Sequence, residues 1–400
     1  MSASHLSTGI LVVGGGIMGL AAAWHLGESG AEVVLVEQQG TDGGLGSSHG
    51  ATRGLRYSYE DPAYARLAMH AETWWRYAER RSGVELLRMT GGLDLGHPDA
   101  PSFARTLATV RDLRLDHELL GPAQVRARFP AFALPDDLLA IHQPGAGLIN
   151  AARARESFAA LAREAGVRTS YATRVVGIDV ADDLRVACRS PEGDRVVACD
   201  RVVVCAGAWT NEVLATIGGL VPARLPLSVL QCEPIHIRGA AGPAPEVLFF
   251  RHPDPPDAGH ARPFLEGIYV QPQPSGFLGA PDDGPRIKVG RHGGVPIESP
   301  AGVIHGRDVE DHDAMLARVD VLPGFAGGSI VGTDTCLYTM TPDEGFILDF
   351  LDPGRRLFVA AGFSGHGFKF APVIGRAIAE LLLDGRTDYE VESMEIGSSG

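Results

Sequence analysis

Lysine is nearly missing from this 400-residue chain: of its 35 basic residues only Lys288 and Lys369 are lysines, and the other 33 are arginines. An exposed ion pair is served about equally by either side chain, so the surviving lysines mark places where a compact ammonium is required. Cysteine is scarce as well. Cys188, Cys199, Cys205, Cys232 and Cys336 are odd in number and lack metal-type spacing, which points to neither a disulfide framework nor a zinc site. No apolar run approaches the ~18 residues of a membrane span, and no basic stretch precedes the first apolar segment, so a cytoplasmic protein is expected. Positive charge is outnumbered too. A formal net charge of −14 and a pI near 5.4 repel polyphosphate backbones and acidic membrane surfaces, which excludes nucleic acid and membrane as expected partners. What remains is 45% hydrophobic and 21% charged, enough to bury a sizeable core in one or two domains.

The clearest pattern comes first. Ile10 to Val13 reads as a short buried strand, Gly14 to Gly19 as a glycine turn, Ile17 to Leu26 as an alanine-rich helix, and Glu32 to Glu37 as a second strand. Together they form a βαβ unit. Gly14, Gly16 and Gly19 permit the tight turn and the close approach of a pyrophosphate to the helix N-terminus, lined also by Ile17 and Met18. Glu37, about 20 residues on, ends the second strand where a carboxylate accepts hydrogen bonds from a ribose diol. This unit specifies an adenine dinucleotide without choosing between FAD and NAD.

Farther along, Asp61-Pro62 is an N-cap and first-turn pair for a helix reaching about Arg80, with Trp74, Trp75 and Tyr77 expected in core or interface. Helices are also expected over Pro101 to Leu115, Pro122 to Phe129 and Ala151 to Ala165, and one alternating strand over Arg168 to Val180. Arg201 to Val204 reads as a buried strand running into Gly207 and Trp209. The Pro-, Gly- and Asp-rich stretch from Arg238 to Gly302 suggests loops and an antiparallel sheet, with strand pieces at Gly267 to Gln271 and Arg286 to Gly290. A second strand, glycine turn and helix (Leu357 to Ala361, Gly362 to Gly367, Ala371 to Asp384) closes the chain. The expected fold class is therefore α/β: a Rossmann-type nucleotide-binding domain assembled from discontinuous segments (1–60, 140–220 and 330–390), plus an α+β substrate domain with a mainly antiparallel sheet (61–139 and 221–329), and a flexible tail over 391–400.

Five motifs occur in one order: GSSHGATRGLRYSY (Gly46 to Tyr59), VVCAGAW (Val203 to Trp209), RIKVGRHGG (Arg286 to Gly294), CLYTMTPDEGFILD (Cys336 to Asp349) and GFSGHGFKF (Gly362 to Phe370). Through them the chain resembles the monomeric sarcosine oxidase family, within the glycine and D-amino-acid oxidase-like flavoproteins, from about Gly9 to Asp388. The resemblance implies FAD, bound covalently through an 8α-S-cysteinyl link at Cys336, a reaction that wants a thiolate beside a cation. It implies contacts to that flavin from Ser47, His49 and Arg53, and a cofactor site that also takes in Val175, Gly207, Trp209, Gly362, Gly365, Gly367 and Lys369. Backbone N–H groups before the last helix suit negative charge on the reduced ring.

Both lysines fall inside these motifs. By resemblance Lys288 lies over the flavin and activates dioxygen, where a fixed ammonium stabilises superoxide better than a delocalised guanidinium does. Arg56 and Lys369 match the pair that binds the substrate carboxylate, which lets an acidic protein hold an amino acid. Tyr338 and His292 match residues lining the substrate side of the flavin and, with Arg53 and Lys288, make up the expected catalytic set. One departure stands out: where sarcosine oxidases carry a second tyrosine after the Gly-Ile-Tyr run, this chain has Val270. Gly345 also replaces a larger residue, and the segment from Gln271 to Asp283 is longer than in the family. These changes suggest a substrate other than, and larger than, sarcosine. The expectation is an FAD-dependent oxidase of a secondary or N-methyl amino acid, monomeric, taking an amino acid or amine and O₂ and forming an imine and hydrogen peroxide. A cyclic imino-acid oxidase or desaturase, an amine dehydrogenase with another acceptor, and a non-catalytic flavin-binding protein are the alternatives.

Overall fold

The structure is a computed structural model that describes residues 4–41, 46–180, 183–218, 224–240, 242–253, 267–304 and 312–397. Its first strand, β1 (Ser4–Val13), is flanked in parallel by β2 (Val33–Val36) and by Gly193–Val204; the latter pairs in parallel with Leu357–Ala361, and β2 with Arg168–Ser170. Near-continuous runs of Val, Leu and Ile fit strands buried on both faces. One face carries α1 (Ile17–Glu28), Ala151–Glu164 and Ala371–Leu383 over a core that includes Val12, Trp24, Phe158 and Ile374. The other face is covered by the antiparallel meander Arg174–Asp179, Leu184–Ser190 and the first half of Gly193–Val204.

The expected single strand from Arg168 to Val180 is therefore two. Ala172 turns at φ 50, and Ala172 N and Thr173 N donate to Gln39 O and Glu37 O, so the chain folds back on the end of β2 before its second half joins the meander. The third strand, β3 (Thr52–Leu55), pairs with Gly147–Asn150 in a small separate sheet. Next comes α2 (Pro62–Ser82), where Asp61 accepts a hydrogen bond from Ala63 N and Gly83, at φ 70, ends the helix. Leu67, Ala71, Trp75 and Ala78 form its apolar stripe and enter the same core as α1. By packing, α2 belongs with the nucleotide half, not with the substrate segment 61–139 expected for it.

The second half is built on an eight-stranded sheet ordered Ser329–Thr333, Ile235–Arg238, Arg286–Arg291, Ile268–Pro272, Leu248–Arg251, Gly92–Gly96, Leu139–Gln143 and Glu118–Leu120. All its pairs are antiparallel except Leu248–Arg251 with Gly92–Gly96. Leu139–Gln143 and Ser329–Thr333 join this sheet, which moves both expected boundaries near 140 and 330. Under it lies an apolar cluster of Leu93, Phe132, Ile235, Phe249, Val270, Val289 and Phe325; its other face lines the cleft. The tail expected to be flexible from 391 is anchored instead: Val391 and Met394 are buried and Ile396 N donates to Asp349 Oδ2, while 398–400 lie outside the described residues.

Candidate active site

A continuous cleft runs from the glycine turn, between the halves, to the substrate-side sheet. At its nucleotide end Gly14 sits at φ 108, and a Cβ there would overlap the Cys205 carbonyl; one at Gly19 would overlap the Gly14 carbonyl oxygen. Gly16 caps α1 without a side chain, and the helix N-terminus faces the cleft with Ser48 Oγ accepting from Ile17 N at 3.0 Å. Glu37 stands at the end of β2, accepting from Gly15 N at 2.6 Å and Gln39 N at 2.8 Å. Met18, Val175, Gly207 and Trp209 continue the walls. A cradle that any Cβ would fill, a helix N-terminus and a carboxylate at this spacing fit the adenosine and pyrophosphate of FAD.

The middle of the cleft is organised by Arg53. Its guanidinium donates to Thr52 O, Ser47 O and His49 O, each at 2.7 Å, and lies 5.2 Å from the Phe368 ring centre. These bonds hold the 46–53 segment together, and Ser47 Oγ, donating to Leu337 O, ties it to Cys336–Met340. His49 Nε2 comes within 4.0 Å of Cys336 Sγ, its Nδ1 being held by Gly46 O. Burial alone would raise the Cys336 thiol, but the hydrogen bond with His49 and the charges of Lys288 and Arg53 lower it; burial opposes, and the Cys336 contact drives, a rise for His49. Burial pushes Cys188 up to about 11 and Cys199 and Cys205 up to about 12. Cys336 is thus set apart from these thiols.

Lys288 is only 2% exposed and donates to Asp334 Oδ2 at 2.7 Å. That oxygen also lies 3.1 Å from His236 Nε2. Burial would raise the Asp334 carboxyl, yet the hydrogen bond from His236 and the charge of Lys288 hold it well below the usual range. Neither Asp334 nor His236 was signalled by sequence: Asp334 lies just before the Cys336 motif, His236 lies far from all five, and only strand pairing brings them to Lys288.

At the substrate end Lys369 Nζ donates to Tyr59 Oη and His366 O at 2.8 Å each. Arg56 lies between the Tyr59 and Phe250 rings, 4.8 and 4.6 Å from their centres, and 3.5 Å from Asp94 Oδ1. Burial first, then the charges of Arg56 and Arg53, holds Lys369 well below the usual lysine range. Tyr338 is one wall, its ring in space left by Gly365 at φ 75. His292 lies 6.0 Å from that ring and is tied to Glu344 Oε2 at 3.0 Å. Burial drives the Tyr338 and Tyr269 phenols above, and the His366 imidazole well below, their ordinary values, so both phenols stay protonated and the imidazole neutral. Gly362 and Gly367 complete the turn beneath Lys369, Gly362 at φ 66 against Thr341.

Three expectations change here. Val270 touches the cleft wall, but its side chain is fully buried in the apolar cluster beneath the sheet; the tyrosine facing Tyr338 is Tyr269, one residue earlier, in room left by Gly290. Gly345 lies outside the cleft, its Cβ direction facing the Asp343 carboxylate, so its small size does not widen the pocket. The long segment after Gln271 forms a short helix, Ser275–Leu278, that seats Phe277 on Leu148 and Leu248 and is bonded by Asn150, away from the cleft.

A dinucleotide cleft that ends in a second sheet lined with aromatic and cationic side chains defines an FAD-binding oxidoreductase of Rossmann type. The chain belongs to the FAD dependent oxidoreductase family (DAO), which matches it over residues 9–381. It is 31% identical to a monomeric sarcosine oxidase of Streptomyces avermitilis over 96% of this chain and 95% of that protein. With the N-methyl-L-tryptophan oxidase of Yersinia pestis it shares 28% identity, covering 97% and 98%. A solved structure of NikD, an unusual amino acid oxidase essential for nikkomycin biosynthesis, superposes with a TM-score of 0.79 at 25% identity, covering 98% of this chain and 97% of that one. Among the described residues no helix is long and apolar enough to cross a membrane.

Proposed function

We infer that the protein is an FAD-dependent oxidase of a secondary or N-methyl amino acid, which converts the C–N bond to an imine and reduces O₂ to hydrogen peroxide. The observation that carries this reading is the sorting of cations along one cleft: Arg56 and Lys369 at its substrate end, Lys288 and Arg53 beside Cys336. FAD bound there supplies the acceptor for two electrons from the amine and their donor to dioxygen. Lys369 and Arg56 hold the carboxylate, since a buried ammonium next to a guanidinium gains most from an anion. Tyr269, Tyr338 and His292 flank the amine; the two protonated phenols orient its lone pair by hydrogen bonding and keep bulk water away. Lys288 offers a fixed positive charge where dioxygen gains charge. Cys336, lowered by His49, is the attachment point in a covalent link.

Similarity to oxidases of sarcosine and N-methyl-L-tryptophan supports an N-alkyl amino acid. The aromatic wall of Tyr269, Phe250 and Tyr338 favours a side chain larger than hydrogen. Peroxide formation measured over sarcosine, N-methyl aromatic amino acids, proline and pipecolate tests this, and an N-methyl aromatic amino acid is expected to give the highest kcat/KM. Activity on the cyclic acids alone would replace this reading with that of an imino-acid oxidase. Lys288→Met is expected to slow reoxidation in air about a hundredfold while reduction by substrate changes little. Equal effects on both half-reactions would remove the oxygen role.

A further inference from the structure

Lys288 is the end of a chain of polar groups. Asp334 Oδ2 contacts both its ammonium, at 2.7 Å, and His236 Nε2, at 3.1 Å; His236 Nδ1 lies 3.0 Å from Gln273 Oε1. The backbone fixes this arrangement: His236 pairs with Lys288 on one side and Gly332 on the other, and Asp334 N donates to Pro234 O at 3.0 Å. Gly50, at φ 90, stands at the meeting point. A Cβ there would be 3.2 Å from Asp334 Oδ2, 3.5 Å from Arg53 Nη1 and 3.7 Å from Lys288 Nζ. Also facing this point are Cys336, with His49 against it, and Tyr269 from the neighbouring strand. An ammonium this deeply buried is strongly disfavoured without a partner.

We propose that Asp334, oriented by His236, is the positioning residue for Lys288: it holds the ammonium at one point of the cleft wall. The proposal rests on the reading of Lys288 as the oxygen-facing cation. An aspartate whose main-chain N–H is bonded to Pro234 O and whose carboxylate meets an imidazole does not follow the flexible lysine stem, so the stem is drawn to it. Paired in this way, the ammonium meets dioxygen as a placed hydrogen-bond donor whose long-range field is partly cancelled.

The two-lysine composition makes the test direct. Full-length flavin-loaded protein labelled with [ε-13C]lysine gives two lysine side-chain resonances, assigned with Lys288→Met and Lys369→Met. In Asp334→Asn the Lys288 resonance is expected to move from its parental position at fixed pH, since the group that places the ammonium is gone. Asp334→Glu is expected to return it toward the parental position. A Lys288 resonance unmoved in Asp334→Asn overturns the proposal. If that variant does not fold, His236→Gln takes its place: a shift of the Lys288 resonance at fixed pH supports the orienting role, and an unmoved resonance overturns it. Reoxidation in air separates the two readings. A moved resonance in Asp334→Asn with parental reoxidation in Lys288→Met keeps Asp334 as positioning residue and removes the oxygen role of Lys288. An unmoved resonance in Asp334→Asn with slow reoxidation in Lys288→Met does the reverse.

Discussion

At the scale of single residues, the site works by placing charge where burial opposes it. Lys369 is the sharpest instance: burial and then the charges of Arg56 and Arg53 lower it well below the usual lysine range. A bound carboxylate favours the ammonium, so affinity is greatest below that lowered pKa and is lost as pH rises through it, in a window beneath ordinary lysine titration. Acetate affinity followed by perturbation of the flavin spectrum between about pH 6 and 10 is expected to fall with rising pH. Lys369→Met should flatten the profile and weaken binding about tenfold to a hundredfold, the worth of one charge-assisted hydrogen bond. A flat profile in the parent would mean that Lys369 does not meet the anion. Cys336 shows the opposite balance, a buried thiol lowered by His49, Lys288 and Arg53. Flavin colour is expected to stay with acid-denatured parent polypeptide and to be released from Cys336→Ala. His49→Asn should slow attachment in apoprotein supplied with FAD, read as the time course of protein-bound colour.

At the scale of elements, close approach between backbones does what side chains do elsewhere. Gly375 lets the last helix pack on α1, since a Cβ there would come within 2.6 Å of the Ala21 backbone. Gly375→Ala is expected to cost about 1–3 kcal/mol by overpacking, measured as a lower denaturant midpoint with an unchanged slope; a neutral result would mean that the helices slide apart at no cost. How much was legible in the sequence also divides by element. Strands buried on both faces, such as Val33–Val36 and Leu357–Ala361, announce themselves as apolar runs between glycine turns, and Asp61-Pro62 marks the start of α2 by its capping chemistry. The strand Ile268–Pro272 was legible but its sidedness was not. In the sequence Tyr269 and Val270 differ only in parity, and which parity meets the cleft depends on the apolar layer beneath the sheet, supplied by Phe132, Phe249 and Val289 from distant segments. For the same reason Asp334 was silent: an aspartate in a loop acquires meaning only once the Ile235–Arg238 strand sets His236 between it and Gln273.

At the scale of the whole molecule, neither half is a single stretch of chain. The nucleotide half gathers β1, β2, Gly193–Val204 and Leu357–Ala361 into one sheet, and the substrate sheet collects strands from Gly92 to Thr333. Loops and strands share the cleft: the 46–53 segment, the Cys205–Trp209 turn and the Gly362–Gly367 turn line it together with the strands that carry Tyr269, Lys288 and Tyr338, while the apolar cores lie on the far side of the sheets. FAD spanning such a cleft binds the folded chain alone, so it stabilises by mass action, and the covalent attachment proposed at Cys336 would make that gain independent of free cofactor. The architecture says where the gain is spent. Apoprotein of Cys336→Ala, compared by hydrogen exchange with the same variant holding non-covalent FAD, is expected to lose protection chiefly at 46–53 and 362–367, together with a lower Tm. Strands 268–272 and 286–291, with Val270 and Val289 fully buried on their core side, should keep protection close to that of the loaded protein. Uniform loss across both sheets would mean instead that the halves fold as one unit only around the cofactor, and that the apolar layer under the substrate sheet is too weak to stand without it.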